Sequence, residues 1–377
     1  MNILIFSTMR WSFLWQRPHQ VTSQLVDRKN NVVYFQDPIF LDPFLFVKAY
    51  REKNVFLKRK IKKNLLLANV FFFPFFGKLR FVTEKFALMF LRLQLRCFKF
   101  KPDVAIFYSY HYAFLLKTLK SMGAKIVYDC IDDFSSFSDA HDGSNVLNSE
   151  KELTAQASLI IGASKILCKK LSKINSKCFY VPNAVDFGHL NSALRAVEVP
   201  REIKNLRAPI IGFIGAIYDW FDDGLVCKLA ELHPDYSILL VGPLKYGLDN
   251  FEKYPNIKMV GAKPYKVLPQ YLARMDVCLI PFKINKLTLA SNPIKLYEYL
   301  AAGKPVVSTA LPEICENASE VVMIAKDSDD FVRKVEGAVN QIEKEDEKVI
   351  LKRITFAENN SWEKRVETIE KLLKSVM

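Results

Sequence analysis

Short apolar runs alternate with amphipathic stretches along nearly the whole chain, which leaves few folds open to it. Strand-like runs occupy residues 2–7, 31–36, 65–73, 104–108, 125–129, 158–162 and 178–181, and then 210–215, 237–242, 258–260, 277–281, 306–308 and 321–324. Helical periodicity fills most of the gaps, as at 17–28, 110–122 and 165–174. Continuously apolar strands joined by helices require parallel sheets covered on both faces. At 377 residues, half of them apolar, the chain has material for two such α/β domains. The same composition excludes a disordered chain and a small disulfide-stapled scaffold.

The strand–helix series stops and restarts. A polar stretch without strand signals covers residues 186–208, and Ile210-Ile-Gly-Phe-Ile-Gly215 opens the second series. The pattern predicts two Rossmann-like domains, at 1–190 and 205–355, with parallel sheets facing a central cleft. In open α/β sheets ligands bind beyond the carboxyl ends of the strands, so residues just after strands are the candidates for function.

One such segment has clear local physics. Asn292 is a good N-cap, Pro293 suits a first helical position, and Gly303 with Pro305 ends the helix. The first turn leaves the N–H groups of Ile294 and Lys295 free, and the helix dipole and the Lys295 charge make that end an anion site. Glu298 lies five residues past Pro293, roughly 7.5 Å along the axis. A diphosphate at the helix start would leave its carboxylate near an attached ribose. The same residues also fit a solvated Lys295–Glu298 i,i+3 pair.

Arg10, Arg17 and His19 follow the first strand; Arg can grip a carboxylate or phosphate bidentately and His titrates near neutrality. Asp129, Asp132 and Asp133 follow the strand at 125–129. Carboxylates this close repel, raising one pKa, and a raised carboxylate can serve as general base. Asp327-Ser-Asp329 reads as a loop and helix cap, and no His/Cys set has zinc spacing. No metal and no cofactor are therefore expected.

The charge is uneven. The net formal charge is +14, and between Lys48 and Lys101 there are 15 Lys/Arg against Glu52 and Glu84. In this stretch Lys78, Arg80, Lys85 and Arg92 alternate with Phe81, Phe86, Met89 and Phe90. The pattern fits an interfacial helix on an anionic membrane surface, set on an insert at about 48–101. A core helix with outward-snorkelling cations fits as well. No RNA-binding motif accompanies the charge, so nucleic acid is not an expected partner. Seven scattered cysteines without C-x-x-C read as reduced, mostly buried thiols in a cytosolic protein. The start lacks a signal-peptide pattern, and the longest apolar run, 65–76, is too short to span a bilayer. The expected location is cytoplasmic, peripheral on the inner face of the membrane.

Asn292-Pro-Ile-Lys-Leu-Tyr-Glu-Tyr-Leu-Ala-Ala-Gly-Lys-Pro-Val-Val resembles the donor-binding motif of GT-B glycosyltransferases of the family 4, or group 1, type. Val181-Pro-Asn-Ala-Val-Asp186, Ile211-Gly-Phe-Ile-Gly215, Leu240-Val-Gly-Pro243 and Met259-Val-Gly261 agree in order. Trp15-Gln-Arg-Pro-His19, Tyr128-Asp-Cys-Ile-Asp-Asp133 and Asp219-Trp-Phe-Asp222 resemble a subset linked to cell-surface polysaccharides, including teichuronic-acid-type glycosyltransferases.

The resemblance implies a GT-B fold whose closing helix, 356–377, crosses back to the first domain. It implies transfer of a sugar from a nucleotide diphosphate sugar, UDP-linked by preference, to a lipid-linked or growing polysaccharide acceptor. Glu298, Lys295, Asn292, Pro293, Ile294, Ser291, Gly215 and Tyr265 would bind the donor. Asp129, Arg17 and His19 would be catalytic, with Asp129 as base. The sequence departs from the family pattern at Ala290, where an earlier glutamate is usual, and at 216–224, which lacks the usual Arg and Lys. Two other readings stay open: a GT-B nucleotide-sugar epimerase, and a non-catalytic membrane-associated scaffold of a polysaccharide assembly.

Overall fold

The computed structural model describes residues 1–40, 58–72, 80–136, 143–196, 198–245 and 249–377. They divide into two compact units, Met1–Val181 with Val366–Met377, and Pro182–Arg365.

The first unit holds β1 (Asn2–Phe6), β2 (Asn31–Phe40), β3 (Arg59–Lys62), β4 (Leu65–Phe72), β5 (Val104–Phe107), β6 (Lys125–Cys130), β7 (Leu159–Gly162) and β8 (Cys178–Tyr180). They form one sheet in the order β3-β4-β2-β1-β5-β6-β7-β8. Ile5 of β1 lies between Tyr34 of β2 and Ile106 of β5. Strands β5 and β7 are buried at every position, which is why they read as unbroken apolar runs. Strand β3 pairs antiparallel with β4 at the sheet edge. It reads Arg-Lys-Ile-Lys and is mostly exposed, so it carries no apolar signal; cations on an edge strand discourage pairing with another chain.

The expectation of an added insert at 48–101 is corrected for its described part. Strand β4 is a full sheet member in register with β2, Val33 beside Leu66 and Phe35 beside Ala68. The helix Arg80–Cys97 packs onto it, with Phe90 5.1 Å from Phe71 and Gln94 Nε2 donating to the Asn69 carbonyl at 3.1 Å. Ala87, Leu91 and Leu95 are buried beneath this helix, whereas Phe86, Met89 and Leu93 are exposed, Met89 at 59%. Lys85, Arg92 and Arg96 share the exposed side. Lys78 lies outside the described residues. Arg80 opens the helix.

The second unit holds β9 (Ile210–Ile214), β10 (Ser237–Val241), β11 (Ile257–Met259), β12 (Val277–Ile280), β13 (Val306–Thr309) and β14 (Met323–Ala325). Their order, β11-β10-β9-β12-β13-β14, is all parallel and reverses direction between β9 and β12. That reversal is where doubly wound sheets take ligands. Alternate residues feed two cores: Ile210, Ile214, Leu239 and Ile280 meet Leu296 and Leu300 on one face. Ile211, Phe213, Leu240 and Leu279 meet Leu229, Phe331 and Val335 on the other.

The stretch read as a break is built into this unit. Helix Phe187–Asn191 lies in it, and Val185, Leu190, Ala193 and Ile203 are buried in the core. The chain enters the second unit at Pro182, earlier than the 190 expected from sequence, and stays until Arg365, past the expected 355. The last helix, Trp362–Ser375, therefore starts in one unit and ends in the other. Its far end is fixed in the first unit by buried Val366, Ile369 and Leu373 and by Asn30 Nδ2 donating to Glu370 at 3.1 Å.

Among the described residues no helix is long and apolar enough to cross a membrane. Only Cys130 and Cys278 of the seven free thiols are buried; Cys97 is exposed and the others are partly covered. The expectation of mostly buried cysteines is too strong, because several sit on helices with one open face.

Candidate nucleotide-sugar site

In the second unit the backbone closes tightly where β9, β10 and β11 end. The Gly215 N–H donates to Val241 O at 2.8 Å and the Gly242 N–H to Gly261 O at 2.9 Å. Gly242 has φ +153°, and a Cβ there would stand 1.7 Å from the Gly215 carbonyl oxygen. No side chain fits between these strand ends. A Cβ on Gly215 would meet Lys295 Cε at 3.3 Å, so the aliphatic stem of Lys295 lies over bare backbone.

Helix Ile294–Ala301 follows β12. Its N-cap is Pro293, with no side-chain cap, and Leu296 N–H donates to the Pro293 carbonyl at 3.2 Å. The Ile294 and Lys295 N–H groups precede any intrahelical bond, as the first turn of a helix requires. The sequence expectation is off by one residue: Asn292 does not cap, and Pro293 is the cap rather than the first helical residue. Tertiary partners take the Asn292 side chain instead. Its Oδ1 accepts the Asn183 N–H at 3.1 Å and its Nδ2 donates to Glu313 at 2.8 Å.

Lys295 Nζ donates to Glu298 at 2.6 Å, and Glu298 is only 4% exposed. The i,i+3 pair is therefore real, and it stands at the helix start beside Gly215. One turn on, the Tyr299 hydroxyl accepts the Ile214 N–H at 2.8 Å and donates back to the Ile214 carbonyl at 3.3 Å, which fixes the helix to the end of β9. Tyr265 is half-buried; its carbonyl bonds His189 Nε2 at 2.9 Å and its ring lies 4.5 Å from the imidazole. Ser291 donates its hydroxyl to the Thr288 carbonyl at 2.8 Å, closing the preceding turn. Ala290 is buried. Lys283 pairs with Asp223 at 3.2 Å.

The first-unit calls are corrected. Arg17 and Asp129 are each 1% exposed and face one another, Nε to Oδ2 at 3.1 Å and Nη2 to Oδ1 at 2.9 Å. Arg17 Nη1 also donates to the Val181 carbonyl at 2.8 Å. Burial raises the Asp129 pKa and Arg17 opposes it, but a carboxylate sealed against a guanidinium cannot reach an incoming hydroxyl. This pair holds β6 to the first helix and to the end of β8. His19 is fully buried: Nδ1 accepts the Gln16 N–H at 3.3 Å and Nε2 donates to the Arg10 carbonyl at 3.0 Å. Burial lowers its pKa to about 4, so it is neutral and built into the helix start.

Of the acidic trio, Asp132 rather than Asp129 combines a raised pKa with partial exposure. Burial and the Asp133 charge lift Asp132 to about 7, and it keeps partial exposure just after β6. Burial also opposes charge on Asp133, but Lys170, Ser135 and Ser136 outweigh it and hold that group below its ordinary value. Lys170 bridges Asp133 at 2.8 Å and Glu150 at 3.0 Å. His111, exposed after β5, meets the Ser109 hydroxyl at 2.6 Å. Asp327 caps the helix Ser328–Gln341, its carboxylate accepting the Asp330 N–H at 2.8 Å.

Residues 208–341 match the sequence model of glycosyl transferases group 1. That stretch lies within the second unit. The Bacillus subtilis (strain 168) protein named "Putative teichuronic acid biosynthesis glycosyltransferase TuaH" is 29% identical over 247 residues, 60% of this chain and 61% of that one. The chain thus matches less than two thirds of that relative's length. Among solved structures, HepE from Anabaena in complex with UDP and glucose has a TM-score of 0.68 at 15% identity, covering 100% of both chains. Sucrose-phosphate synthase from Thermosynechococcus elongatus has a TM-score of 0.72 at 12% identity, covering 100% of this chain and 99% of that one. The fold is GT-B.

Replacing Arg17 by Leu leaves the Asp129 carboxylate buried without its partner. Urea unfolding at neutral pH should show a loss of about 3–5 kcal/mol, and Arg17→Leu combined with Asp129→Asn should recover part of it.

Proposed function

We propose that the protein transfers a sugar from a UDP-sugar to a lipid-linked or growing cell-surface polysaccharide. The observation that carries this is the start of helix Ile294–Ala301 in the second unit. Two backbone N–H groups, the Lys295 ammonium and the Glu298 carboxylate meet there beside the side-chain-free ends of β9 and β10. The group 1 match over residues 208–341 and the kinship with TuaH support the reading. HepE, which shares the fold, was solved with UDP and glucose.

The chemistry follows from charge. In transfer, the bond from the sugar's anomeric carbon to the diphosphate breaks, a new bond to an acceptor oxygen forms, and the acceptor hydroxyl gives up its proton. Negative charge grows on the departing diphosphate. The Ile294 and Lys295 amides and the Lys295 ammonium are fixed donors for that charge, and fixed donors need no reorganisation as it develops. Glu298 holds Lys295 in place at 2.6 Å. With donor bound, Lys295 turns to the phosphate and the Glu298 carboxylate accepts the ribose hydroxyls. In the first unit Asp132 is the carboxylate suited to take the acceptor proton, since its pKa lies near working pH. Asp129 is not available for that role.

The exposed stripe Phe86, Met89 and Leu93, flanked by Lys85, Arg92 and Arg96, supports peripheral contact with an anionic membrane surface, where a lipid-linked acceptor would lie. An apolar face inserting beside cations is the usual form of such contact.

Incubation with UDP-sugars separates this reading from its rivals: transfer or donor hydrolysis supports it, epimerised sugar alone supports an epimerase, and no nucleotide binding supports a scaffold. Glu298→Ala should weaken UDP binding by about 1.5–3 kcal/mol in calorimetry, the range for hydrogen bonds to a charged group; unchanged affinity removes Glu298 from the donor site. A base works only when deprotonated, so transfer should rise with pH through about 7. Asp132→Asn should abolish that limb and slow transfer by about 10²-fold or more. Changing Lys85, Arg92 and Arg96 together to Gln should weaken binding to anionic vesicles, each cation contributing about 1 kcal/mol, and leave UDP affinity unchanged.

A further inference from the structure

Two buried polar networks end on neighbouring residues of one short segment. In the first unit Arg17, held by Asp129, donates to the carbonyl of Val181 at 2.8 Å. In the second unit the Asn183 N–H donates to Asn292 Oδ1 at 3.1 Å, and Asn183 Nδ2 donates to the Asn292 carbonyl at 2.6 Å. Asn292 Nδ2 donates onward to Glu313 Oε2 at 2.8 Å, which also accepts Asn317 Nδ2 at 3.3 Å. Arg17, Asp129, Asn183, Asn292 and Glu313 are all buried. Between the two grips stands Pro182, the first residue of the second unit, with a fixed φ and no N–H to be held.

Breaking either network strands a buried donor or acceptor, which is costly. The peptide segment that carries the chain from one unit to the next is thus bonded on one side to the first unit's core. On the other side it is bonded to Asn292, the residue directly before the Pro293 cap. A rotation of the backbone at Val181–Asn183 must either break these bonds or move the turn that presents the Ile294 and Lys295 N–H groups.

We propose that Asn183, Asn292 and Glu313 are positioning residues for the diphosphate: they tie the start of helix Ile294–Ala301 to the crossing at Val181–Asn183, so that ligand binding and the crossing's conformation are coupled. The inference rests on the donor-site reading and deepens it. Coupling of this kind is reciprocal. UDP at the helix start should stiffen the crossing, and loosening the crossing should weaken UDP.

The test is amide hydrogen exchange on the full chain with and without UDP, for the wild type and for Asn183→Ala, beside calorimetric UDP affinities. In the wild type, UDP should slow exchange across residues 181–186 by about fivefold or more, although those residues lie outside the helix that holds it. Asn183→Ala keeps the backbone bond to Asn292 Oδ1 and loses the Nδ2 bond, so the amides at 292–296 should exchange faster without ligand, UDP affinity should fall by about tenfold, and the UDP effect at 181–186 should shrink. Glu313→Gln keeps an acceptor oxygen for Asn292 and should retain most of the coupling, which separates positioning from general destabilisation and serves if Asn183→Ala does not fold. The proposal is overturned if wild-type protein binds UDP without changing exchange at 181–186, or if Asn183→Ala binds UDP as tightly as wild type. A wild type that binds no UDP overturns the donor reading instead, and the ligand-free exchange at 292–296 then still decides whether Asn183 holds the helix start.

Discussion

Where β9 and β10 end, backbone packs directly on backbone. Gly242 takes a conformation that side-chain-bearing residues rarely adopt, and its missing Cβ leaves room for the carbonyl of Gly215. Gly215 in turn lets the stem of Lys295 cross it. With the Tyr299 hydroxyl bonded to Ile214, these contacts set the distance and angle of helix Ile294–Ala301 against the sheet. Everything proposed for the second unit depends on that placement, because a helix dipole and one lysine attract an anion only where the anion can come close.

Buried charge does the corresponding work in the first unit. The Arg17–Asp129 pair joins segments 112 residues apart and reaches the carbonyl of Val181. Such a pair contributes little net stability over an apolar substitute, but losing one member is severe, so it specifies how the strand ends are held. Next to it, the carboxylates of Asp132 and Asp133 are driven apart. Lys170 and two serines keep Asp133 charged, and Asp133 and burial make Asp132 hard to ionise. Two neighbouring acids with opposed shifts are a physical reason to look for proton chemistry there.

Much of the architecture was legible in the residues because continuous apolar runs leave no other way to satisfy both faces of a strand. The edge strand β3 was not: Arg-Lys-Ile-Lys buries almost nothing and so has no hydropathy signature. The helix start was read one residue out, since Asn292 is an excellent cap by local rules and only the approach of Asn183 and Glu313 takes its side chain away. The Lys295–Glu298 pair itself was legible from its i,i+3 spacing. Arg17 and His19 open the first helix and Asp129 lies near the end of β6, as their order in the chain suggested. Their burial is a tertiary fact that one sequence does not state, and it turns them from candidates for chemistry into structure. The acidic trio was recognised, but how its members part depends on tertiary structure: burial raises Asp129 and Asp132, and Lys170 holds Asp133 down.

The central claim is that the start of helix Ile294–Ala301 binds a nucleoside diphosphate. A crystal structure with UDP tests it most directly. The account predicts diphosphate oxygens at about 3 Å from the Ile294 and Lys295 amide nitrogens, a normal hydrogen-bond separation, with the ribose hydroxyls on the Glu298 carboxylate and Lys295 turned to the phosphate. UDP lodged elsewhere, or the Lys295–Glu298 pair left intact beneath it, would contradict the account.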